Sequence, residues 1–110
     1  MSQDLIIHLI ISPPLLVIGY LFMRFPPKKI NHFYGYRTPR SMRSQEAWDF
    51  ANKYSSALMF YFFLTMPVVQ ALGWFSIGPK PAALLAAGYL TVGLIALMIH
   101  TETKLKKKGF

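Results

Sequence analysis

Three stretches free of Asp, Glu, Lys and Arg dominate this chain: residues 5–23, 54–75 and 82–100. An α-helix rises 1.5 Å per residue, so about 20 apolar residues cross a hydrocarbon core of roughly 30 Å. Each stretch meets that length, the third only just. In 110 residues little is left to cover three such helices with polar surface. The predicted fold is therefore all-α: one integral membrane domain of three transmembrane helices, with a motif-bearing loop at 24–53 and a basic tail at 101–110. The first stretch has the position of a signal peptide. Its flank, Ser2, Gln3 and Asp4, carries no basic residue, and no small-x-small cleavage site precedes the following "FMRFPPKK", so a retained helix is expected.

The charges give the spans an orientation. Lys and Arg number twelve against four Asp and Glu, a formal balance of +8. Seven of the twelve (Arg24, Lys28, Lys29, Arg37, Arg40, Arg43, Lys53) lie between spans one and two. Four more (Lys104, Lys106, Lys107, Lys108) follow span three, and only Lys80 lies in the connection between spans two and three. Eleven basic residues thus share one membrane face, which the positive-inside rule makes cytoplasmic, with the N-terminus outside and the C-terminus inside. A basic face of this kind meets the lipid bilayer and its anionic headgroups. No nucleic-acid-binding motif accompanies the charge, and nucleic acid is not an expected partner. Cysteine is absent, which excludes disulfides and thiolate chemistry.

Within the spans, Pro13 and Pro14, and then Pro67, each remove a helix hydrogen bond and predict bends, with Ser12 placed to satisfy a freed group and Gln70 one turn beyond Pro67. Span three is rich in small residues. Its Ala82/Ala86 and Ala83/Ala87 pairs let backbones approach closely, first within the bundle, at its centre, and alternatively across a homo-oligomer seam.

The loop continues into a helical pattern. Thr38 followed by Pro39 forms one N-cap and N1 pair, and Ser44 a second cap with Glu46 in the favourable first turn. Ala47, Trp48, Ala51, Tyr54, Ser55 and Leu58 recur at three- and four-residue spacing, so helix two starts before the membrane and runs into it. Trp48 and Tyr54 are expected on its membrane-facing side, near the interface. Arg37, Arg40 and Arg43, three apart, are expected on one side as a forked cationic surface for phosphate or carboxylate groups.

Chemistry is sparse. Glu46, Asp49 and His32 offer a weak carboxylate–imidazole set for a metal or a headgroup enzyme; ordinary helix charges explain them better. The spans hold no acidic or basic residue to carry a coupled ion, and His8 alone could take a proton. No enzyme activity, metal or cofactor is expected, and a small transporter or channel is the alternative to a binding protein.

The order of residues in the loop points further. Asn31, Gly35, Tyr36, Arg37, Thr38, Pro39, Arg40 and Ser41 ("N-x-x-x-G-Y-R-T-P-R-S"), followed by Glu46, Ala47, Trp48, Ala51 and Asn52 ("E-A-W-x-x-A-N"), resemble the signature of the SdpI family. These are small bacterial membrane proteins related to an immunity protein against a secreted toxic peptide. The resemblance implies a multi-pass protein of the bacterial cytoplasmic membrane, in a short form of one three-span module, and a role in immunity, resistance to membrane-active peptides or envelope signalling. It also implies a site for a peptide, protein or lipid partner on the inner face: Asn31, Gly35, Arg37, Thr38, Pro39, Arg40, Glu46, Trp48 and Asn52. Gly35 would permit a backbone conformation other residues resist, and Trp48 and Asn52, four apart, share one helix face.

Overall fold

The computed structural model describes residues 2–110, which form three helices: α1 (Gln3–Arg24), α2 (Gln45–Ser76) and α3 (Pro79–Lys107). All three are long and apolar enough to cross a membrane. Their outer faces suit lipid: Phe75 is 87% exposed and Leu84 77%, which in water would be costly and in hydrocarbon is not. The interior is correspondingly mixed. Trp48, Phe63, Met66 and Leu105 are buried beside Ser12, Asn52, Gln70 and Thr101.

Each helix begins where the local chemistry allows. Ser2 Oγ accepts from the Leu5 N–H (3.2 Å) to open α1. Ser44, extended at φ −152°, does the same for Ala47 (3.1 Å) and opens α2. The Thr38–Pro39 pair does not start that helix. Thr38 and Ser41 instead cap each other, N–H to hydroxyl in both directions (2.8 and 3.2 Å), around an isolated turn. The extended Ser44 interrupts the path between that turn and α2.

The connection from α2 to α3 is only two residues. Ile77 and Gly78 both donate to the Gly73 carbonyl, Gly78 takes φ +99°, and Pro79 supplies the first position of α3. That tight turn brings Ala82 against Gly73, where an added methyl would stand 2.9 Å from Ala82 Cβ. Ala82 and Ala86 are fully buried in this contact. The small-residue pattern therefore serves packing inside the bundle, but α2, not α3, is the central helix: it packs on both neighbours, whereas α1 and α3 touch each other least. The helices remain continuous through Pro13, Pro14 and Pro67.

Two other expectations are corrected. Residues 101–107 are the last turns of α3, not a tail, with Thr101 and Leu105 buried. The lysines at that end favour the helix by opposing its dipole, and Gly109 at φ +87° closes it, with the Phe110 N–H returning to the Leu105 carbonyl (3.0 Å). Trp48 does not face lipid: it is fully buried beneath the loop.

Candidate functional site

The loop between α1 and α2 is folded by its own polar groups. Asn31 Oδ1 accepts from the Phe33 and Tyr34 N–H groups (both 2.9 Å), and its amide donates to the Lys29 carbonyl (2.9 Å), making an Asx turn. Gly35 follows at φ +109°, and a Cβ there would meet both Asn52 Oδ1 and Pro27 Cγ at 2.6 Å. Only glycine fits this conformation and this space. The closeness has a purpose: Asn52 Oδ1 accepts the Tyr36 N–H (2.6 Å) while the Asn52 amide donates to the Trp48 carbonyl (3.0 Å) and reaches the Tyr36 carbonyl (3.4 Å). One turn earlier, Trp48 Nε1 donates to the Pro27 carbonyl (2.8 Å). Trp48 and Asn52 thus hold two points of the loop against one face of α2.

A second clamp ties the loop to α3. Glu102 Oε1 accepts from the Tyr36 hydroxyl (2.7 Å) and from Thr38 Oγ1 (2.5 Å), and Glu102 Oε2 pairs with Arg40 Nε at 3.3 Å. Arg40 also donates to the Phe110 carbonyl (2.5 Å). Ser41, fully buried, donates to the carbonyl side of the same turn. Burial raises the Tyr36 pKa well above the usual tyrosine range, and the hydrogen bond and negative charge of Glu102 raise it further, against a smaller lowering from Thr38. Glu102, on which this clamp turns, lay outside the sequence motif. The signal was present: it is the only acidic residue after Asp49, set among lysines.

The nine motif positions therefore divide. Gly35, Trp48 and Asn52 meet at one contact; Thr38 and Arg40 meet at Glu102. Asn31 shapes its own turn. Pro39 and Glu46 are exposed, and Arg37 is exposed and donates from Nη1 to the His32 carbonyl. The three arginines do not form a single surface, because Arg40 turns inward to Glu102 while Arg37 and Arg43 stay outside. His32, Glu46 and Asp49 do not assemble, and among the described residues no three His, Asp or Glu side chains are grouped to hold a metal ion.

Between α1 and α3, beneath this loop, lies a cleft of about 700 Å³. Ile18, Leu21 and Phe22 line it from α1, Leu94 and Leu97 from α3, and Met59 from the α2 floor, with Tyr34 to Tyr36 closing its end. Ser55, 2% exposed, also lines it, and its Oγ is the one buried side-chain polar atom among the described residues without a hydrogen-bond partner.

At the other end of the bundle, Gln70 links helices. Its amide donates to His8 Nδ1 (2.9 Å) and to the His8 carbonyl (3.1 Å), and its oxygen accepts from Ser12 Oγ. His8 Nε2 then donates to the Pro79 carbonyl (2.9 Å), which ties α1 to the first turn of α3. Ser12 is used for this link, not for a carbonyl freed by the prolines.

The comparisons with known proteins fall on the same residues. The model of the SdpI/YfhL protein family matches residues 28–101, from the loop through α2 into α3. Over 45 residues the chain is 53% identical to an uncharacterized protein, YfhL, of Bacillus subtilis strain 168; the match spans 41% of this chain and 41% of that protein. No solved structure matches the chain. The motif loop, the helix that it folds against and most of the third helix lie inside the matched region, and the chain belongs to the SdpI/YfhL protein family.

Proposed function

We propose that this chain is a binding protein of the bacterial cytoplasmic membrane, acting in resistance to membrane-active peptides or in envelope signalling. Its motif module, residues 31–52, is the recognition surface and faces the cytoplasm, with the N-terminus outside. One observation carries this reading. Gly35 and the buried Trp48 and Asn52 are consumed in fixing the loop, and the fixed loop leaves Arg37, Lys28, Lys29 and Arg43 exposed, with Phe33 at 89% exposure on the same loop. A rigid basic and aromatic surface is suited to an anionic headgroup or to the carboxylates of a peptide or protein partner. Nothing in the arrangement calls for catalysis.

The test is resistance to membrane-active peptides in cells lacking the protein, restored by the wild-type chain. Arg37→Ala is expected to keep the fold and lose most of the restored resistance. Full resistance with this folded variant removes the proposal.

A transporter or channel is the second reading, and the polar group of His8, Ser12 and Gln70 inside the bundle favours it. The waist between that group and the cleft argues the other way. Phe63 and Met66 are buried there, and Phe63 packs so closely on Gly19 that an added methyl would stand 2.9 Å from its ring. Liposomes carrying the protein are expected to move neither protons nor cationic dyes.

A further inference from the structure

The cleft between α1 and α3 has a polarity that selects an occupant. From its cap Phe25 inward to Ile18 the α1 wall spans eight residues, a rise of about 10 Å, and the cleft volume of about 700 Å³ falls within the roughly 300–1,000 Å³ of small-molecule sites. The deep part is hydrocarbon: Ile18, Met59 and Leu94. The one buried side-chain polar atom without a partner among the described residues, Ser55 Oγ, stands one turn inward of the Asn52 contact, at the loop end. An unpaired buried hydroxyl is costly, about 1–3 kcal/mol by general experience, but this one has almost no accessible surface and its ready partner is the carbonyl one turn back on its own helix, so it does not choose the occupant.

A peptide does not suit this cleft. Every backbone N–H and C=O carried into a hydrocarbon slot needs a partner there, and the walls of this cleft are largely hydrocarbon. A single acyl chain has no such need. The charge around the loop end completes the selection: residues 24–53 hold seven Lys and Arg against Glu46 and Asp49, which favours a negative headgroup. The cleft also opens sideways, since Ile18 is 56% exposed and Met98 46%, so a bilayer lipid can enter without leaving the membrane.

We propose that this cleft holds one acyl chain of an anionic phospholipid, with its headgroup against the basic motif loop. The proposal rests on the reading of that loop as a binding surface and gives it a ligand class. The bound chain would fill the gap left by the weak contact of α1 with α3, so the lipid also sets the height of the loop above the bilayer.

The test uses the full chain reconstituted in vesicles of equal parts dioleoyl phosphatidylglycerol and dioleoyl phosphatidylcholine, then released into mild detergent for native mass spectrometry. One phosphatidylglycerol per chain is expected to remain bound, with little phosphatidylcholine. Ile18→Trp, which fills the slot from an already exposed position, should abolish the retained lipid. Lys28→Gln with Lys29→Gln should erode the preference for the negative headgroup. Retention of both lipids alike, or retention indifferent to Ile18→Trp, overturns the proposal as ordinary boundary lipid. Peptide resistance that depends on Arg37 in a protein that retains both lipids alike leaves the binding function standing and sinks the acyl-chain site alone. Lipid retained without any Arg37-dependent resistance does the reverse.

Discussion

Gly35 shows how little freedom the loop has. It combines a left-handed φ of +109° with two contacts that an added methyl would violate. Gly35→Ala is therefore expected to destabilise the protein by more than about 1 kcal/mol, read as a lower thermal midpoint in detergent. Gly88 is the internal control. It sits within α3 with nothing near its would-be Cβ, and Gly88→Ala should be neutral or stabilising by up to roughly 1 kcal/mol. Trp48→Ala, which removes a fully buried ring and its bond to Pro27, should cost about 3–5 kcal/mol by large-to-small precedent. Arg37, being exposed, should stay within about 0.5 kcal/mol on substitution by Ala. That contrast separates the residues that build the loop from the one that uses it. Tyr36 adds a pH signature. Its pKa is raised on folding by burial and by Glu102, so the folded state prefers the neutral phenol. The stability it contributes is complete below the unfolded value near 10 and is lost as pH rises past it toward the folded value. Unfolding followed from pH 9 upward should show a steeper loss for wild type than for Tyr36→Phe.

At the scale of elements, α2 organises the molecule. At 32 residues it is about 48 Å long, well beyond a hydrocarbon core of roughly 30 Å, so it has turns to spare beyond a membrane span, and its first turns carry Trp48 and Asn52. Ser44 fixes where it begins. Ser44→Ala should lower stability by about 0.5–2 kcal/mol, and amide exchange should quicken in the first turn of α2 and in residues 34–38, which depend on it, but not in the α2–α3 turn. At the opposite end the two-residue connection places Gly73 on Ala82. A larger residue at either position would wedge α2 from α3 and open the seam along Ala86.

For the whole molecule, the absence of cysteine makes orientation measurable. Single Ser2→Cys and Lys106→Cys variants in intact cells should differ: the first labelled by an impermeant maleimide, the second only after the membrane is broken. The opposite pattern would place the motif loop outside. The bundle has two unlike ends, a loop clamped by Trp48, Asn52 and Glu102 and a polar knot of His8, Ser12 and Gln70. Between them the helices close around Phe63 and Met66. Such a body is better suited to presenting a surface than to passing a solute.

The spans, the helix class, Ser44 as one of two candidate starts of α2 and the family motif were written in the sequence, because length, apolarity and capping chemistry are local properties. Periodicity could also place Trp48 and Asn52 on one face. It could not say which face: an aromatic near a membrane interface satisfies the same pattern toward lipid or toward protein, and only the loop lying over α2 decided that Trp48 is buried. Glu102 was hidden for a related reason. A carboxylate 64 residues beyond Thr38 meets it only because α3 runs past the membrane alongside α2, and contacts of that separation leave no mark in local spacing. The same holds for Ser55, an ordinary helix serine by sequence, which only the packed bundle buries without a hydrogen-bond partner.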